Sequence, residues 1–413
     1  MAGWIALAVG MVMVGMAAGA PGVLLVAVLT VGYASLTEIW TRYGTARLEY
    51  ERHLTTDRAV AGDDIGLDVS IWNRKALPLP WVTGEDRVPE RLRVREREEM
   101  PRDDQWPGTL LLRNDWALGW YERVVRHFHL DSVRRGSYRF GPANLGVRDV
   151  VGRLAREERV GDGEESSLVV APAMAPLRHP GRESAPLGER RTRHALTVDP
   201  SLYAGVRPFQ QGDSLRLVHW RATARIGHPV SRRLEPARGR EVVLVVDVQT
   251  VDGSYWLTWD EDAFESLCVI AASVARRLLE DGAAVGAAAA NFAGSGQRIA
   301  WLAPRASVAQ LPRIGELLAR IGPVPSAPLG TLLGWLPSRA PSGSRLLLLS
   351  TRDPVPFLAT LRRAQRLGFG AELIAAGPQA EAHARSARLA RIPAQTASIE
   401  PGWEVPRAIA LAG

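Results

Sequence analysis

Residues 206–225 read V-R-P-F-Q-Q-G-D-S-L-R-L-V-H-W-R-A-T-A-R, which places a glycine, an aspartate, a tryptophan and four arginines close together. Gly212 can supply a turn, and Asp213 is a favourable N-cap because its carboxylate accepts a hydrogen bond from a free N–H of the first helical turn. Apolar side chains follow at helical spacing, at Leu215, Val218 and Ala222. The segment therefore predicts an amphipathic helix that begins at Asp213.

Arginine is concentrated in and around this segment. Eleven arginines and three acidic residues lie between residues 190 and 240, whereas the formal net charge of the whole chain is +7. Arg216, Trp220 and Arg225 are expected on the exposed side of the predicted helix. Three interpretations are open for them: a solvated face, a contact surface for a partner, or a brace against the strand that ends at Asp247.

The spacing R-P-x-x-x-G-D-x-x-R-x-x-H-W-x-x-x-A-R in this segment resembles the signature of the bacterial domain of unknown function 58 family. The matching positions are Arg207, Pro208, Gly212, Asp213, Arg216, His219, Trp220 and Arg225. A second stretch, R-R-G-S-Y-R-F-G-P at residues 134–142, is also similar to the family. Family members are membrane-associated and often carry a von Willebrand factor A-type domain. The resemblance implies that architecture and gives the signature residues a role in contacting a partner.

Length, charge and cysteine content restrict the class of protein. A chain of 413 residues is long enough for two or three domains. Its single cysteine, Cys268, cannot form an internal disulfide and falls in an apolar helical pattern, so we expect a buried core residue in a reducing compartment. The basic balance suits an anionic membrane surface, an acidic partner or nucleic acid, and composition does not choose among them.

Residues 2–37 contain no charged side chain, and Pro21-Gly22 interrupts this apolar run. Because one span needs about 20 apolar residues, the run predicts two transmembrane helices, at residues 4–20 and 22–36, joined by a turn. One long tilted or re-entrant helix is the alternative. By the positive-inside rule, both ends and the soluble domains are expected in the cytoplasm, on the inner membrane. The arginines that support this orientation are Arg42, Arg47, Arg52 and Arg58.

A β-rich domain is predicted after the membrane segment. Apolar and polar residues alternate over residues 64–71, which is the pattern of a half-buried strand. Further short apolar runs are separated by glycines and prolines, which favours an antiparallel sandwich of the immunoglobulin-like kind. His127 and His129 would share one face of a strand, but two histidines without a third ligand are weak evidence for a metal site.

Strand and helix patterns alternate in the C-terminal part of the chain. Residues 242–246 form a continuous aliphatic run typical of a buried parallel strand, and helical and further strand patterns follow. This order predicts a parallel sheet with helices on both faces, of the Rossmann-like α/β class. Ligand sites in such sheets lie at the carboxyl ends of the strands, where Asp247 and residues 350–353 fall.

This part of the chain resembles a von Willebrand factor A-type domain, in which an Asp-x-Ser-x-Ser loop, a threonine and a second aspartate can hold Mg²⁺. Here the loop is Asp247-Val248-Gln249-Thr250-Val251, so only the first ligand is retained. Replacements for the missing oxygens would come from Thr250, Asp252 and Asp353. The resemblance leaves Asp247 as a degenerate metal ligand, and we expect no bound cofactor. Otherwise Asp247 caps its loop or pairs with an arginine such as Arg225.

The sequence thus predicts a multidomain α+β membrane protein with five segments. They are a transmembrane hairpin at 1–37, a β-sandwich domain at 38–165, a linker with the basic signature segment at 166–240, a von Willebrand factor A-like domain at 241–378 and a C-terminal tail at 379–413. No role is assigned to the tail.

No catalytic constellation accompanies these segments. The chain has no phosphate-binding P-loop, no G-x-S-x-G elbow and no Cys/His zinc spacing. We therefore expect a membrane-anchored adaptor that is not an enzyme and whose von Willebrand factor A-like domain binds a protein partner. The family resemblance implies a MoxR-type AAA+ ATPase as that partner, in chaperone-like assembly.

Two other classes of function are kept as alternatives. The arginine patch could bind anionic lipid or nucleic acid. A nearby membrane favours lipid, and only Phe209 and Trp220 are available to stack on bases. A metal-dependent hydrolase is the last class, and the sparse ligand set around Asp247 argues against it.

Overall fold

A computed structural model of the chain describes residues 2–17, 19, 21–131, 134–148, 154–160, 166–178, 198–209, 218–236, 241–253, 258–292, 297–399 and 408–412. The chain divides into two compact units, Met1–Val169 and Val170–Gly413. Helices and five β-sheets occur within the described residues, so the structure is of mixed α/β type.

Two apolar helices begin the chain, α1 (Ala2–Ala17) and α2 (Pro21–Tyr43). They separate just before the predicted Pro21-Gly22 break, so the chain forms a pair of helices there instead of one long helix. The stretch Pro21–Trp40 of α2 is long and apolar enough to cross a membrane. Helix α1 has 16 residues, about 24 Å, and is shorter than the roughly 20 residues that one span needs. Among the described residues one helix therefore meets the length and composition of a span, and a second span stays a prediction.

The unit Met1–Val169 contains mostly antiparallel strands in three sheets. The first sheet has the order β1 (Leu48–Leu54), β3 (Ile65–Asn73), β7 (Arg123–Asp131) and β5 (Arg93–Val94). The second has the order β10 (Leu154–Val160), β9 (Ala143–Arg148), β4 (Leu79–Pro89) and β6 (Thr109–Leu118). The third has the order β2 (Arg58–Val60), β11 (Ser167–Ala171) and β8 (Gly136–Arg139), and the last two residues of β11 lie past the boundary of this unit.

The alternation predicted for the β-rich domain is confirmed in β3. Four aliphatic side chains on one face of this strand are buried, those of Ile65, Leu67, Val69 and Ile71. A buried polar cluster also joins the first two sheets. The Asp86 carboxylate on β4 accepts hydrogen bonds from the Tyr50 hydroxyl (2.8 Å) and from Arg52 Nε (2.8 Å) and Nη2 (2.7 Å), both of which lie on β1.

The unit Val170–Gly413 is built on an eight-stranded sheet. Its spatial order is β12 (Leu177–Arg178), β21 (Ile409–Ala412), β20 (Ala394–Ser398), β19 (Gly370–Ala376), β18 (Arg345–Ser350), β15 (Glu241–Val246), β16 (Ala284–Ala289) and β17 (Ala300–Arg305). The five strands from β20 to β16 run parallel to one another. Strands β17 and β21 are antiparallel to their neighbours β16 and β20. The predicted parallel sheet is therefore confirmed.

Helices cover both faces of this sheet. They are α4 (Glu261–Glu280), α5 (Gln310–Arg320), α6 (Leu329–Trp335), α7 (Leu358–Arg366) and α8 (Ala380–Leu389). Alternate residues of β15 point to opposite faces. Leu244 packs in the core that contains α4 and α5, whereas Val243 packs in the core that contains α6, α7 and α8. Cys268 is fully buried on α4, as predicted.

Two predicted segment boundaries are corrected by this sheet. Residues 379–413, predicted as a tail, contain α8, β20 and β21, and residues 166–240, predicted as a linker, contain β12. The reason is the composition of these strands. Strand β20 reads A-Q-T-A-S and has few β-branched side chains, so its burial between β19 and β21 leaves little trace in the sequence.

The signature segment lies outside the large sheet. Strands β13 (Val198–Pro208) and β14 (Val230–Pro236) form a two-stranded antiparallel sheet, and the short helix α3 (Trp220–Ile226) lies between them in the chain. Gly227, with φ 82°, ends α3 in the left-handed conformation that glycine adopts without strain.

Candidate functional site

The eight signature residues fall into three groups. Arg207 and Pro208 lie at the end of β13 and pair in register with Ser231 and Val230. His219 precedes α3, while Trp220 and Arg225 lie on it. The remaining three, Gly212, Asp213 and Arg216, lie outside the described residues.

The helix that carries Trp220 and Arg225 begins at Trp220, later than predicted, and the predicted N-cap, Asp213, lies outside the described residues. The N-cap of α3 is His219, whose Nδ1 accepts a hydrogen bond from the Ala222 amide at 3.1 Å. Just before it, Val218 forms a β-bridge with Ser231, and the His219 amide donates to the Val230 carbonyl at 2.9 Å. Since Val218 is paired with β14, the helix cannot include it, and helical geometry begins at Trp220.

The predicted pairing of Arg225 with Asp247 is not observed, while Arg216, the other arginine of the brace hypothesis, lies outside the described residues. Arg225 is exposed, and the arginine that pairs with Asp247 is Arg352 instead. Trp220 is 68% exposed, which is unusual for so large an apolar side chain. Trp220 and Arg225 therefore lie on the surface, and their role in contacting a partner stays a prediction.

Asp247 lies at the carboxyl end of β15, and its carboxylate is 2% exposed. Its Oδ2 accepts hydrogen bonds from Ser350 Oγ (2.8 Å) and Arg352 Nε (3.0 Å), and its Oδ1 accepts one from Arg352 Nη2 (3.2 Å). Both partners belong to the end of the neighbouring strand β18. The Ser350 hydroxyl also accepts a hydrogen bond from the Arg352 amide at 3.1 Å, which holds the two partners together.

Burial dominates the electrostatics of this carboxyl. Loss of water raises the pKa of Asp247 to about 6, although the charge of Arg352 and the hydrogen bonds from Ser350 and Arg352 act in the opposite direction. The ordinary value for this group is 3.8. A bidentate guanidinium therefore compensates only part of the cost of keeping this carboxylate charged inside the protein.

A guanidinium thus occupies the position beside Asp247 where a metal ion would be needed. The other oxygens that the sequence offered have structural partners. The Thr250 hydroxyl accepts a hydrogen bond from the Asp260 amide (2.8 Å), Asp353 accepts one from the Val355 amide (3.1 Å), and Asp252 lies 3.8 Å from Arg352. Among the described residues, no group of three or more His, Cys, Asp or Glu side chains could hold a metal ion. The donor set therefore does not fit Mg²⁺.

The two histidines on β7 are engaged by single carboxylates. His127 Nδ1 lies 2.7 Å from Asp68, and His129 Nδ1 lies 2.7 Å from Glu96. Each histidine thus has a different acidic partner, and the pair does not converge on one position.

Exposed apolar side chains surround Asp247 at the carboxyl edge of the sheet. Trp259 is 45% exposed in the segment that leads into α4, and Phe292 is 50% exposed just after β16. Val251 and Val355, which follow β15 and β18, are also exposed. Since β18, β15 and β16 are adjacent in the sheet, their following loops share one edge. We call Val251, Trp259, Phe292 and Val355 the apolar rim. No local pattern marked them in the sequence, because they are far apart along the chain.

Lys75 is the only lysine of the chain. It lies in the turn between β3 and β4, is 9% exposed, and its Nζ has no hydrogen-bond partner among the described residues. Burial lowers the pKa of this ammonium from 10.5 to about 8. A buried, unpaired cation of this kind destabilises the folded state.

Replacing Lys75 with methionine should therefore stabilise the protein at pH 7, by about 1–2 kcal/mol. The lysine pKa is lower in the folded than in the unfolded chain, so wild-type stability falls as the pH decreases from about 10.5 through about 8. The advantage of Lys75→Met should accordingly vanish above pH 10.5. Urea denaturation at pH 7 and at pH 10.5 would measure the stability difference between Lys75→Met and wild type.

Lys75→Arg is the control, because arginine stays charged at both pH values and this variant should be less stable than Lys75→Met at each of them. Equal stability of the two variants would show that the buried charge at position 75 does not destabilise the protein.

Comparisons with known proteins agree with the family resemblance. Residues 205–323 match the family model described as "Protein of unknown function DUF58". The uncharacterized protein YeaD of Bacillus subtilis (strain 168) is 24% identical over 264 residues, which are 62% of this chain and 58% of that protein. The chain therefore spans less than two thirds of the length of this relative.

Among solved structures, the CARDB domain of the PF1109 protein from Pyrococcus furiosus is 16% identical, with a TM-score of 0.19, over 30% of this chain and 89% of that domain. The sporulation control protein Spo0M from Bacillus subtilis is 10% identical, with a TM-score of 0.19, over 30% of this chain and 49% of Spo0M. At these scores neither similarity carries an argument about fold or function.

Proposed function

We propose that this chain, whose residues 205–323 carry the segment of the DUF58 family, is a membrane-anchored adaptor without enzymatic activity. In this proposal α2, with α1 as a second span, holds the protein in the inner membrane with both soluble units in the cytoplasm. The paired sheets of Met1–Val169 act as an immunoglobulin-like spacer. The unit Val170–Gly413 acts as a von Willebrand factor A-like domain that binds a protein partner without a metal ion.

The observation that carries this proposal is the ion pair between Asp247 and Arg352. A cation-dependent binding site needs an open position on the metal for a ligand from the partner. Here a guanidinium, held on both carboxylate oxygens, occupies that position as a permanent part of the protein. Recognition at this edge must then come from side chains around the pair.

The apolar rim supplies such side chains. Aromatic residues that are exposed in the free protein and buried in a complex are frequent anchors of protein interfaces. Exposed carboxylates lie beside the rim at Asp252, Asp260 and Asp262, although the chain as a whole is basic. The edge therefore suits a partner surface that combines an apolar pocket with basic residues. By family resemblance, we propose that this partner is a MoxR-type AAA+ ATPase.

Co-purification tests this function directly. The full-length chain, extracted in detergent, should retain a MoxR-type AAA+ ATPase from the same genome, and retention should be unchanged when a chelator replaces Mg²⁺ in the wash. Trp259→Ser combined with Phe292→Ser should lower retention on the order of tenfold or more, because a single buried aromatic anchor often contributes about 2 kcal/mol.

Leu389→Ser provides the matched control. Leu389 is also a large exposed apolar residue, but it ends α8, which runs back from the carboxyl edge, so it lies at the amino edge of the sheet. Its replacement should leave retention intact. Retention that requires the divalent ion, or that survives the double serine substitution, would show that the apolar rim is not the binding surface.

A further inference from the structure

The end of the β-rich unit that adjoins α2 has a fixed connection to that helix. Only residues 44–47 separate α2 from β1. Trp40, near the end of α2, is buried, and a Cβ added to Gly44 would lie 3.0 Å from Val147 on β9. The Arg74 amide donates a hydrogen bond to the Arg47 carbonyl at 3.0 Å. This junction therefore holds the end of the sheets directly against the end of the helix.

The turn between β6 and β7 lies at the same end. The Asn73 amide donates to the Glu122 carbonyl at 2.8 Å, and its side-chain Nδ2 donates to the Gly119 carbonyl at 2.7 Å. The Tyr121 amide donates to the Lys75 carbonyl at 3.2 Å. Since Asn73 is paired with Leu48, the first residue of β1, the turn at 119–122 lies beside the junction with α2. We call this part of the unit the α2 end.

Exposed aromatic side chains are concentrated at the α2 end. Trp120 is 69% exposed and Tyr121 is 65% exposed, and both lie at the tip of the turn. Trp81, which is paired with Arg148 at the end of β9, is also exposed, as is Tyr43 at the end of α2. One other large aromatic of this unit is exposed among the described residues, Trp106, and it lies at the opposite end of β6.

A cluster of exposed tryptophan and tyrosine side chains is less favourable in bulk water than at a membrane surface. Tryptophan and tyrosine have an apolar body and a polar tip, and both are enriched where a bilayer meets water. The α2 end presents these residues within a few positions of a helix that is long and apolar enough to cross a membrane. A protein partner could cover isolated aromatics, but if α2 crosses a bilayer, the junction places this end at the depth of the lipid headgroups.

We propose that the paired sheets rest their α2 end on the bilayer, with Trp120 and Tyr121 inserted among the phospholipid headgroups. This inference depends on the membrane anchoring in the proposed function and adds a second, peripheral contact to it. The unit is then held against the membrane surface in one orientation instead of moving freely on a tether. Its opposite end, at Trp106, lies roughly 30 Å away along the ten residues of β6.

Fluorescence labelling at single positions tests the contact on the full-length chain. Cys268 is the only cysteine, so Cys268→Ser provides a background without competing thiols. Trp120→Cys, Trp106→Cys and Val28→Cys are each labelled with the environment-sensitive dye NBD and placed in phosphatidylcholine–phosphatidylglycerol nanodiscs. Nitroxide lipids carry the quencher either at the headgroup or deep in the acyl chain.

The label at position 120 should emit at shorter wavelength than the label at position 106 and should lose most of its emission to the headgroup quencher. The label at position 106 should keep its emission with both quenchers. Position 28 lies near the middle of α2 and should be quenched by the deep nitroxide. Tyr121→Cys is a second probe of the same tip, in case the change at Trp120 disturbs the turn.

Two results would overturn the inference in distinguishable ways. Quenching at position 28, with positions 120 and 121 behaving like position 106, would leave the anchor in place and remove the peripheral contact. Absence of quenching at position 28 as well would show that α2 does not enter the bilayer, and then both the anchor and the contact proposed here are rejected.

Discussion

Replacing Arg352 with methionine should destabilise the unit Val170–Gly413 by about 3–5 kcal/mol at pH 7.5. The substitution leaves the Asp247 carboxylate, which is 2% exposed, without its cation. The pKa of Asp247 is already raised to about 6 by burial, and Arg352 is the main cause that opposes this rise. Its loss should raise the pKa of Asp247 further, so the variant must either protonate this residue or hold an uncompensated charge.

The pH dependence follows from the same shift. A carboxyl whose pKa is higher in the folded than in the unfolded chain binds its proton more tightly when folded, so its contribution to stability is complete below about pH 4 and is lost as the pH rises. For wild type this loss is complete just above pH 6. For Arg352→Met it should continue to higher pH, so the variant should approach wild-type stability near pH 4 and fall behind it at pH 7.5.

Hydrogen–deuterium exchange of the full chain can measure this effect locally, in peptides that cover β15 and β18. The control is the double variant Asp247→Asn with Arg352→Met, which has neither charge and should recover most of the lost protection at pH 7.5. If Arg352→Met matched wild type at pH 7.5, the guanidinium would not be the group that holds this edge together.

Replacing Asp86 with alanine should lower the free energy of unfolding of the unit Met1–Val169 by about 3–5 kcal/mol. Asp86 accepts three hydrogen bonds, from the Tyr50 hydroxyl and from Nε and Nη2 of Arg52. The side chains of Arg52 and Asp86 are 6% and 1% exposed, so removal of the carboxylate leaves a buried guanidinium without a counter-charge. The phenol of Tyr50 would lose its acceptor as well.

Glu49→Ala is the matched control, on the strand β1 that carries Tyr50 and Arg52. Glu49 pairs with Arg74 at 2.6 Å, but both side chains are about half exposed, and such surface pairs contribute about 0–1 kcal/mol. The two variants would be compared by guanidinium denaturation, monitored by hydrogen–deuterium exchange in peptides from β1 and β4. If Asp86→Ala and Glu49→Ala lowered the free energy of unfolding equally, burial would not explain the contribution of the pair between Arg52 and Asp86 to stability.

The sequence predicted those strands and helices whose buried residues recur at the spacing typical of a strand or a helix. The alternation over residues 64–71 identified β3, and the aliphatic run at 242–246 identified β15, because each pattern reflects burial on one or both faces. Strand β20 was missed because its small residues give no strong hydrophobic pattern, and β21 was missed because its four residues, I-A-L-A, are too few to show the period of a strand.

The candidate site was predictable only in part, since its interactions join distant residues. Asp247 and residues 350–353 were both placed at the carboxyl edge, but the sequence does not show that Arg352 reaches across to Asp247 from 105 positions away. In the signature segment, Asp213 has a better N-cap side chain than His219, yet pairing of Val218 with Ser231 decides where α3 begins. Tertiary pairing outweighed local preference there.

The position of β21 also bears on how this unit is made in the cell. Residues Ile409–Ala412 pair with β20 on one side and with Leu177–Arg178 on the other, so the strand fills an interior place in the sheet. A ribosome must therefore synthesise nearly the whole unit before β12 can join its neighbours. Until then β20 has an open edge, which is a site for association with other nascent chains. Completion of this sheet consequently has to wait until residues 409–412 have been synthesised and have left the ribosome.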